Sequence, residues 1–256
     1  MILSIDAISK SFGGVQALDG VTFDVSEGTI FGLIGPNGAG KTTTFNMISG
    51  MLRPDSGEVR FGGKRLDKLS PDRRAGLSIA RTFQHVQLMP GETVIENVMA
   101  GAHLRGRSGM MGAVLRLPRQ RREELAIRQL ATEALTLVGL AKLASREAGE
   151  LAYGQQRLIE LARALAMQPK LLLLDEPAAG LNDAETEALG VLIRRIRETG
   201  VTILLVEHAM TLVMGVSDRI AVLDFGRKIA EGSPDEIRRD QDVIAAYLGV
   251  PDDDDA

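Results

Sequence analysis

The residues best suited to chemistry are Lys41 and Thr42, which close the run Gly35-Pro36-Asn37-Gly38-Ala39-Gly40-Lys41-Thr42 and are followed by Thr43. The run fills every fixed position of the phosphate-loop pattern G-x-x-x-x-G-K-[ST]. Successive backbone N–H groups in such a loop, with the positive end of the helix that follows, form a concave anion site. Lys41 supplies a full positive charge for the β- and γ-phosphates of a nucleotide, and Thr42 a hydroxyl for Mg²⁺. A second group stands far along the chain. Leu171 to Leu174 is a continuous apolar run, the pattern of a strand buried on both faces of a parallel sheet, and it ends in Asp175-Glu176-Pro177. Carboxylates at the C-terminal end of such a strand face the crevice where open α/β sheets bind ligands. Asp175 there would hold Mg²⁺ through its water shell, and Glu176 would take the proton of an attacking water. The two motifs together specify binding and hydrolysis of a nucleoside triphosphate.

Strands and helices must hold these groups in place. Ile30–Ile34, before the phosphate loop, predicts a short buried strand, and Thr42–Ser49 a helix closed by Gly50. Residues 2–34 carry short β-patterned segments separated by Gly13-Gly14, Gly20 and Glu27-Gly28. Ser56–Gly63 predicts a strand between turns, and Leu77–Phe83 a strand ending at Gln84. From about 91 to 165, Glu, Arg, Ala and Leu recur at helical spacing, and Thr93-Val94-Ile95-Glu96 is a capping box opening a helix. Ala184–Glu198 predicts a helix, Val201–Val206 and Ile220–Leu223 two strands, and Asp224–Arg227 a turn into a returning strand. Pro234–Leu248 predicts one terminal helix. Strands alternating with helices imply an α/β protein with a mostly parallel sheet, and the helix-rich middle an inserted subdomain.

Composition narrows the classes. The 256 residues carry a net charge of −4, enough material for one large domain with a subdomain. No apolar run approaches the 18 or so residues of a membrane span. The N-terminus lacks the basic start of a signal peptide, so a cytoplasmic location is expected. Zero cysteines exclude disulfides, thiolate metal sites and cysteine nucleophiles. The mild negative charge argues against nucleic acid as a partner. Asp252 to Asp255 form an acidic tail, residues 251–256, expected to be disordered.

With these motifs in register, residues 1–250 resemble the ATP-binding cassette (ABC) family of transport ATPases. The resemblance implies a P-loop NTPase fold with a mostly parallel core sheet, an N-terminal antiparallel β-subdomain and an inserted α-helical signature subdomain. It assigns residues 1–90 and 166–250 to the core and about 91–165 to the helical subdomain. Gln84 falls where the family places a glutamine touching Mg²⁺ and the attacking water. Leu151-Ala152-Tyr153-Gly154-Gln155 occupies the signature position, and Ala179-Gly180-Leu181-Asn182-Asp183 the dimer-contact loop. His208 stands at the switch histidine, a donor to charge spreading over the γ-phosphate. Phe12 is similar to the aromatic residue that stacks on adenine. The ligands implied are ATP and Mg²⁺. His85 and His103 are read as surface or interface residues without chemistry.

The signature departs from the family's commonest form, Leu-Ser-Gly-Gly-Gln: Ala152 replaces the serine and Tyr153 the first glycine. Losing the serine hydroxyl removes one donor that would reach the nucleotide of a second cassette. The motifs Leu151 to Arg157, Arg81 to His85, Asp175 to Leu181 and Ala245 to Gly249 resemble the ATPase subunit of branched-chain amino-acid importers, the LivG type. The insert Gly109 to Glu123 resembles that branch too. The resemblance implies integral-membrane permease subunits and a second ABC ATPase as partners, a periplasmic or extracellular solute-binding protein acting indirectly, and a peripheral place on the inner face of the membrane. Alternatives are the cytosolic motor of a lipid or lipopolysaccharide extraction system, an importer of urea, amides or other amino acids, and a soluble mechanical ABC ATPase. The basic stretch Arg105 to Arg122 has two readings, a solvated insert or a contact with permease loops or anionic lipid.

Overall fold

The computed structural model describes residues 1–82, 87–89, 91–103 and 118–248, without the side chains of 103, 118–121 and 248. Gln84, His85, most of the 105–122 stretch, the side chain of His103 and the acidic tail lie outside the described residues. The chain divides into two compact units, Met1–Pro71 with Leu173–Ala256, and Asp72–Leu172.

The first unit begins with two long strands, β1 (Leu3–Phe12) and β2 (Val15–Val25), where the sequence suggested several short ones. They pair antiparallel from Leu3↔Val25 to Phe12↔Val15. Gly13 and Gly14 make the two-residue turn with φ of 52° and 90°, the doubly positive geometry that matches strand twist. Next come β3 (Ile30–Ile34), α1 (Lys41–Ser49), β4 (Ser56–Phe61) and β5 (Lys64–Arg65). The expected strand to Gly63 stops at Phe61, because Gly62-Gly63 turns the chain into β5. The order β2-β1-β4-β5 forms a four-stranded sheet.

The second unit carries α2 (Pro71–Ala75), β6 (Ile79–Arg81), α3 (Val94–His103), α4 (Pro118–Leu137) and α5 (Tyr153–Ala166). The strand expected from Leu77 starts only at Ile79: Leu77 and Ser78 donate their N–H groups back to Arg74 and Ala75 in a turn, with Ser78 at φ 70°. The capping box at Thr93 forms, since Glu96 Oε2 accepts from the Thr93 N–H at 2.9 Å. Helices α3, α4 and α5 pack pairwise. The α3–α5 contact is close enough that a Cβ on Gly101 would lie 2.1 Å from the Arg163 carbonyl oxygen.

The chain returns to the first unit within β7 (Leu171–Asp175), then forms α6 (Asp183–Glu198), β8 (Thr202–Val206), α7 (Met210–Val216), β9 (Arg219–Asp224) and β10 (Arg227–Gly232). The last two helices are α8 (Pro234–Arg239) and α9 (Gln241–Leu248). In this unit β10-β9-β3-β8-β7 are successive neighbours. β3 runs parallel to both β8 and β9, while β10 is antiparallel to β9. Every residue of β3, β7 and β8 is buried, so a five-residue apolar run suffices for a strand covered on both faces. The single terminal helix predicted over Pro234–Leu248 is two helices. Asp240 breaks it with an extended ψ of 124°, and its carboxylate accepts the N–H groups of Asp242 and Val243, capping α9.

Candidate active site

The phosphate loop joins β3 to α1, and its glycines are there for room. Gly35 has φ 148°, and a Cβ on it would sit 2.0 Å from the Leu223 carbonyl oxygen. Gly40 is left-handed at φ 99°, and a Cβ there would meet Leu18 Cδ2 at 2.5 Å. The loop is stitched by Ala39 N–H to Pro36 C=O at 3.2 Å, and by Gly226 N–H to Ala39 C=O at 3.2 Å. Thr44 donates its N–H and its hydroxyl to the Gly40 carbonyl, which starts the helix. The N–H groups of the first turn then have no intrahelical partner and are available to an anion. Lys41 is buried, and its Nζ donates to the carbonyls of Gly35 at 2.6 Å and Pro36 at 2.8 Å. Burial lowers its pKa from the ordinary lysine value, and the charge of Glu176 works against that shift.

The carboxylate pair ends the neighbouring strand. Asp175 is buried as the last residue of β7. Glu176 follows with φ 47°, a left-handed conformation that costs a non-glycine residue roughly 1–2 kcal/mol. It is held there by its N–H donating to Val206 C=O at 2.8 Å, so β7 and β8 finish level, and by its C=O accepting from Ala179. The chain beyond β8 brings in His208, whose Nε2 lies 3.0 Å from Glu176 Oε1. A carboxylate in hydrogen-bond contact with an imidazole at the end of a parallel sheet can take a proton from water and be oriented while doing so. The intervening Glu207 escaped the sequence reading. It is 3% exposed, and its carboxylate accepts N–H groups from Ala178, His208 and Ala209. The only sequence signal for it is a charge at the end of an apolar strand.

Among the described residues no cluster of three or more His, Cys, Asp or Glu is placed to hold a metal ion. Mg²⁺ is ordinarily held by one or two carboxylates together with substrate phosphates, and the Thr42 hydroxyl with the Asp175 carboxylate fits that donor set. Phe12 closes β1 at the hairpin and is half exposed, with Lys10 Nζ 5.5 Å from its ring centre. A groove of about 550 Å³ borders the loop, lined by Pro36, Asn37 and Gly38 on one side and by Ala245 and Ala246 of α9 on another. Tyr247 of α9 is 41% exposed, and partial desolvation of its phenol pushes the pKa up to about 12, against a smaller lowering from the Gly35 backbone N–H.

The signature segment belongs to the second unit. Ala152 is the N-cap of α5, and it makes no side-chain cap bond because it has no side-chain acceptor. Tyr153 opens the helix half exposed, with Arg157 Nε donating to its hydroxyl at 3.1 Å. Farther along α5, buried Glu160 accepts the Gln87 N–H at 2.8 Å, and Arg163 donates to the Gln87 carbonyl at 2.6 Å. Burial raises the Glu160 pKa and lowers that of Arg163. This clamp on the segment following Gln84 was also not legible in the sequence.

Comparison with known proteins agrees with this geometry. Residues 18–179 match the family model described as ABC transporter, and residues 227–253 match one described as branched-chain amino acid ATP-binding cassette transporter. The high-affinity branched-chain amino acid transport ATP-binding protein LivG of Salmonella typhimurium is 44% identical over 97% of this chain and 98% of its own length. BraF of Pseudomonas aeruginosa, described in the same terms, is 43% identical over the same shares. Among solved structures, the ADP conformation of the ATP-binding cassette MJ1267 superposes with a TM-score of 0.85 at 34% identity, over 97% of this chain and 99% of that one. The dimeric cassette MJ0796 gives a TM-score of 0.76 at 27% identity, over 91% and 99%. No described helix is long and apolar enough to cross a membrane. A phosphate loop between β3 and α1, a Glu–His pair at the ends of adjacent strands, and homology along nearly the whole chain place this protein in the ABC transporter family, as an ATP-binding, ATP-hydrolysing cassette.

Proposed function

We propose that this cassette powers import of branched-chain amino acids through membrane-embedded permease subunits, working beside a second cassette ATPase. The observation that supports the solute class is the family match at residues 227–253, together with 44% identity to LivG over 97% of the chain. Backbone N–H groups of the phosphate loop and of the first turn of α1, with the Lys41 ammonium, bind the phosphates of ATP, with Phe12 against the adenine. Thr42, Asp175 and Gln84 would hold Mg²⁺, which would supply charge neutralisation at the phosphates. Glu176 accepts the proton of the attacking water, and His208 orients that carboxylate and donates toward the γ-phosphate. The Glu176–His208 contact of 3.0 Å supports this division of labour. Leu151 to Gln155 face the nucleotide of the second cassette, so two ATP molecules are enclosed between two subunits, and closure of that sandwich moves the permease.

The test is recovery of tagged Glu176→Gln from its host's membranes in detergent with ATP, followed by identification of the accompanying proteins. Two multi-span permeases and a second cassette ATPase are expected. Lipid-export membrane proteins in their place would overturn the solute class, and recovery from the soluble fraction alone would overturn the transport role.

A further inference from the structure

We propose that Glu207 is the positioning residue for hydrolysis, holding Glu176 and His208 in register by tying the segment after β7 to the segment after β8; this rests on the hydrolytic reading of that pair. Glu207 Oε1 accepts the Ala178 N–H at 2.6 Å. Its Oε2 accepts the His208 N–H at 2.9 Å and the Ala209 N–H at 3.2 Å. One carboxylate thus anchors the backbone two residues beyond Glu176 and the backbone of His208 itself. The side chains of those two residues meet at 3.0 Å, so both ends of the contact depend on the same group.

The chemistry selects a carboxylate. Three N–H donors converge on it from two segments, and only a group that accepts at both oxygens satisfies them all. The preceding residues, Ile203 to Val206, are fully buried and apolar, and Glu207 is 3% exposed, so water is a poor substitute. Among the described residues no lysine or arginine forms an ion pair with Glu207, and its charge is met by backbone donors. A glutamine of the same shape turns one acceptor into a donor, which faces either Ala178 or the His208 and Ala209 pair. The tie to one segment is then lost while the core volume is kept. Glu176 makes the tie consequential. It sits at φ 47°, and a non-glycine residue stays in that region only where its surroundings over-determine it. Its backbone is also anchored by its own N–H on Val206 C=O at 2.8 Å and by the Ala179 N–H on its carbonyl at 3.1 Å.

The experiment compares the full-length chain with Glu207→Gln in steady-state ATP hydrolysis, equilibrium nucleotide binding and thermal unfolding. We expect kcat to fall at least tenfold while nucleotide affinity stays within twofold, because the phosphate loop is untouched. In a His208→Ala background the further loss from Glu207→Gln should shrink below threefold, since no pair remains to be aligned. Unchanged kcat in the folded variant overturns the inference. An equal tenfold loss in both backgrounds overturns it as well, by assigning Glu207 to general stability. If Glu207→Gln does not fold, Glu207→Asp serves: it accepts at both oxygens but is one methylene too short to span both segments, and wild-type kcat there refutes the role. Glu176→Gln run alongside separates the levels. If it hydrolyses ATP at the wild-type rate, the reading of the pair is at fault; if it is inactive while Glu207→Gln is wild-type, only the inference fails.

Discussion

Replacing Glu176 by glutamine separates the catalytic from the structural contribution of that residue, because the structure assigns the two very different sizes. The substitution keeps side-chain length, and the amide oxygen can still accept from His208 Nε2. The backbone bond from Glu176 N–H to Val206 C=O at 2.8 Å is untouched. The charge of Glu176 acts on the Lys41 ammonium and, in direct contact, on His208, whose side chain is 46% exposed against 20% for Glu176. An ion pair so open to solvent is worth at most about 1 kcal/mol, and nothing when the imidazole is neutral. The His208 contact therefore accounts for less than about 1 kcal/mol of any stability lost. Removing a general base costs about 10²–10⁴ in rate, roughly 2.7–5.5 kcal/mol of barrier at 1.36 kcal/mol per decade. The rate effect should exceed the contribution of the His208 contact several-fold. Nucleotide binding should persist, since Lys41 and the loop amides remain. Single-turnover phosphate release, equilibrium binding of a fluorescent ATP analogue and thermal unfolding measure the three quantities on one preparation. A kcat within threefold of wild type in a folded, nucleotide-binding variant would refute the assignment of Glu176 as base.

Ala152→Ser should stabilise the second unit, because the N-cap of α5 already has cap-like dihedrals of −59° and 150° and lacks only an acceptor. A serine hydroxyl there is worth about 0.5–2 kcal/mol, read as a rise in thermal midpoint; an unchanged or lower midpoint would show the hydroxyl makes no cap bond to the first turn. Tyr247 contributes to alkaline stability. Its folded pKa, pushed up to about 12, lies above the ordinary value of 10.0, so the unfolded chain loses the proton first. The neutral phenol's contribution is complete below pH 10 and is lost as pH rises toward about 12. In a Tyr153→Phe background Tyr247 is the only tyrosine, and its ultraviolet phenolate titration should centre near 12. Titration near 10 in the folded protein would contradict the raised value.

Different parts of the molecule were legible in the sequence to different degrees, according to how far their causes reach along the chain. The phosphate loop reads directly because its pattern occupies consecutive residues, from Gly35 to a left-handed Gly40 and a helix starting at Lys41. β3, β7 and β8 read as buried strands because burial on both faces leaves an unbroken apolar run. Helix ends were less legible where a polar side chain competes with the helix. Asp240 lies inside an apparently continuous helical pattern, yet its carboxylate caps α9 and divides the segment. At Ser78 the strand signal yields to a turn for the same kind of reason, a local backbone alternative that apolar periodicity does not encode.

The sequence by itself determined the nucleotide chemistry and the α/β class, since a phosphate loop and an apolar strand ending in Asp-Glu each occupy a few consecutive residues. Tertiary structure alone decided which distant groups meet. Glu176 and His208 are 32 residues apart and touch only because β7 and β8 end level in one sheet. Glu207 becomes an anchor only once the Ala178 N–H, 29 residues away, is turned toward it. Glu160 reaches Gln87 across 73 residues of chain by way of the packed α5. Such contacts depend on strand order and backbone direction, which hydrophobic burial over the whole domain sets and no short stretch of sequence carries.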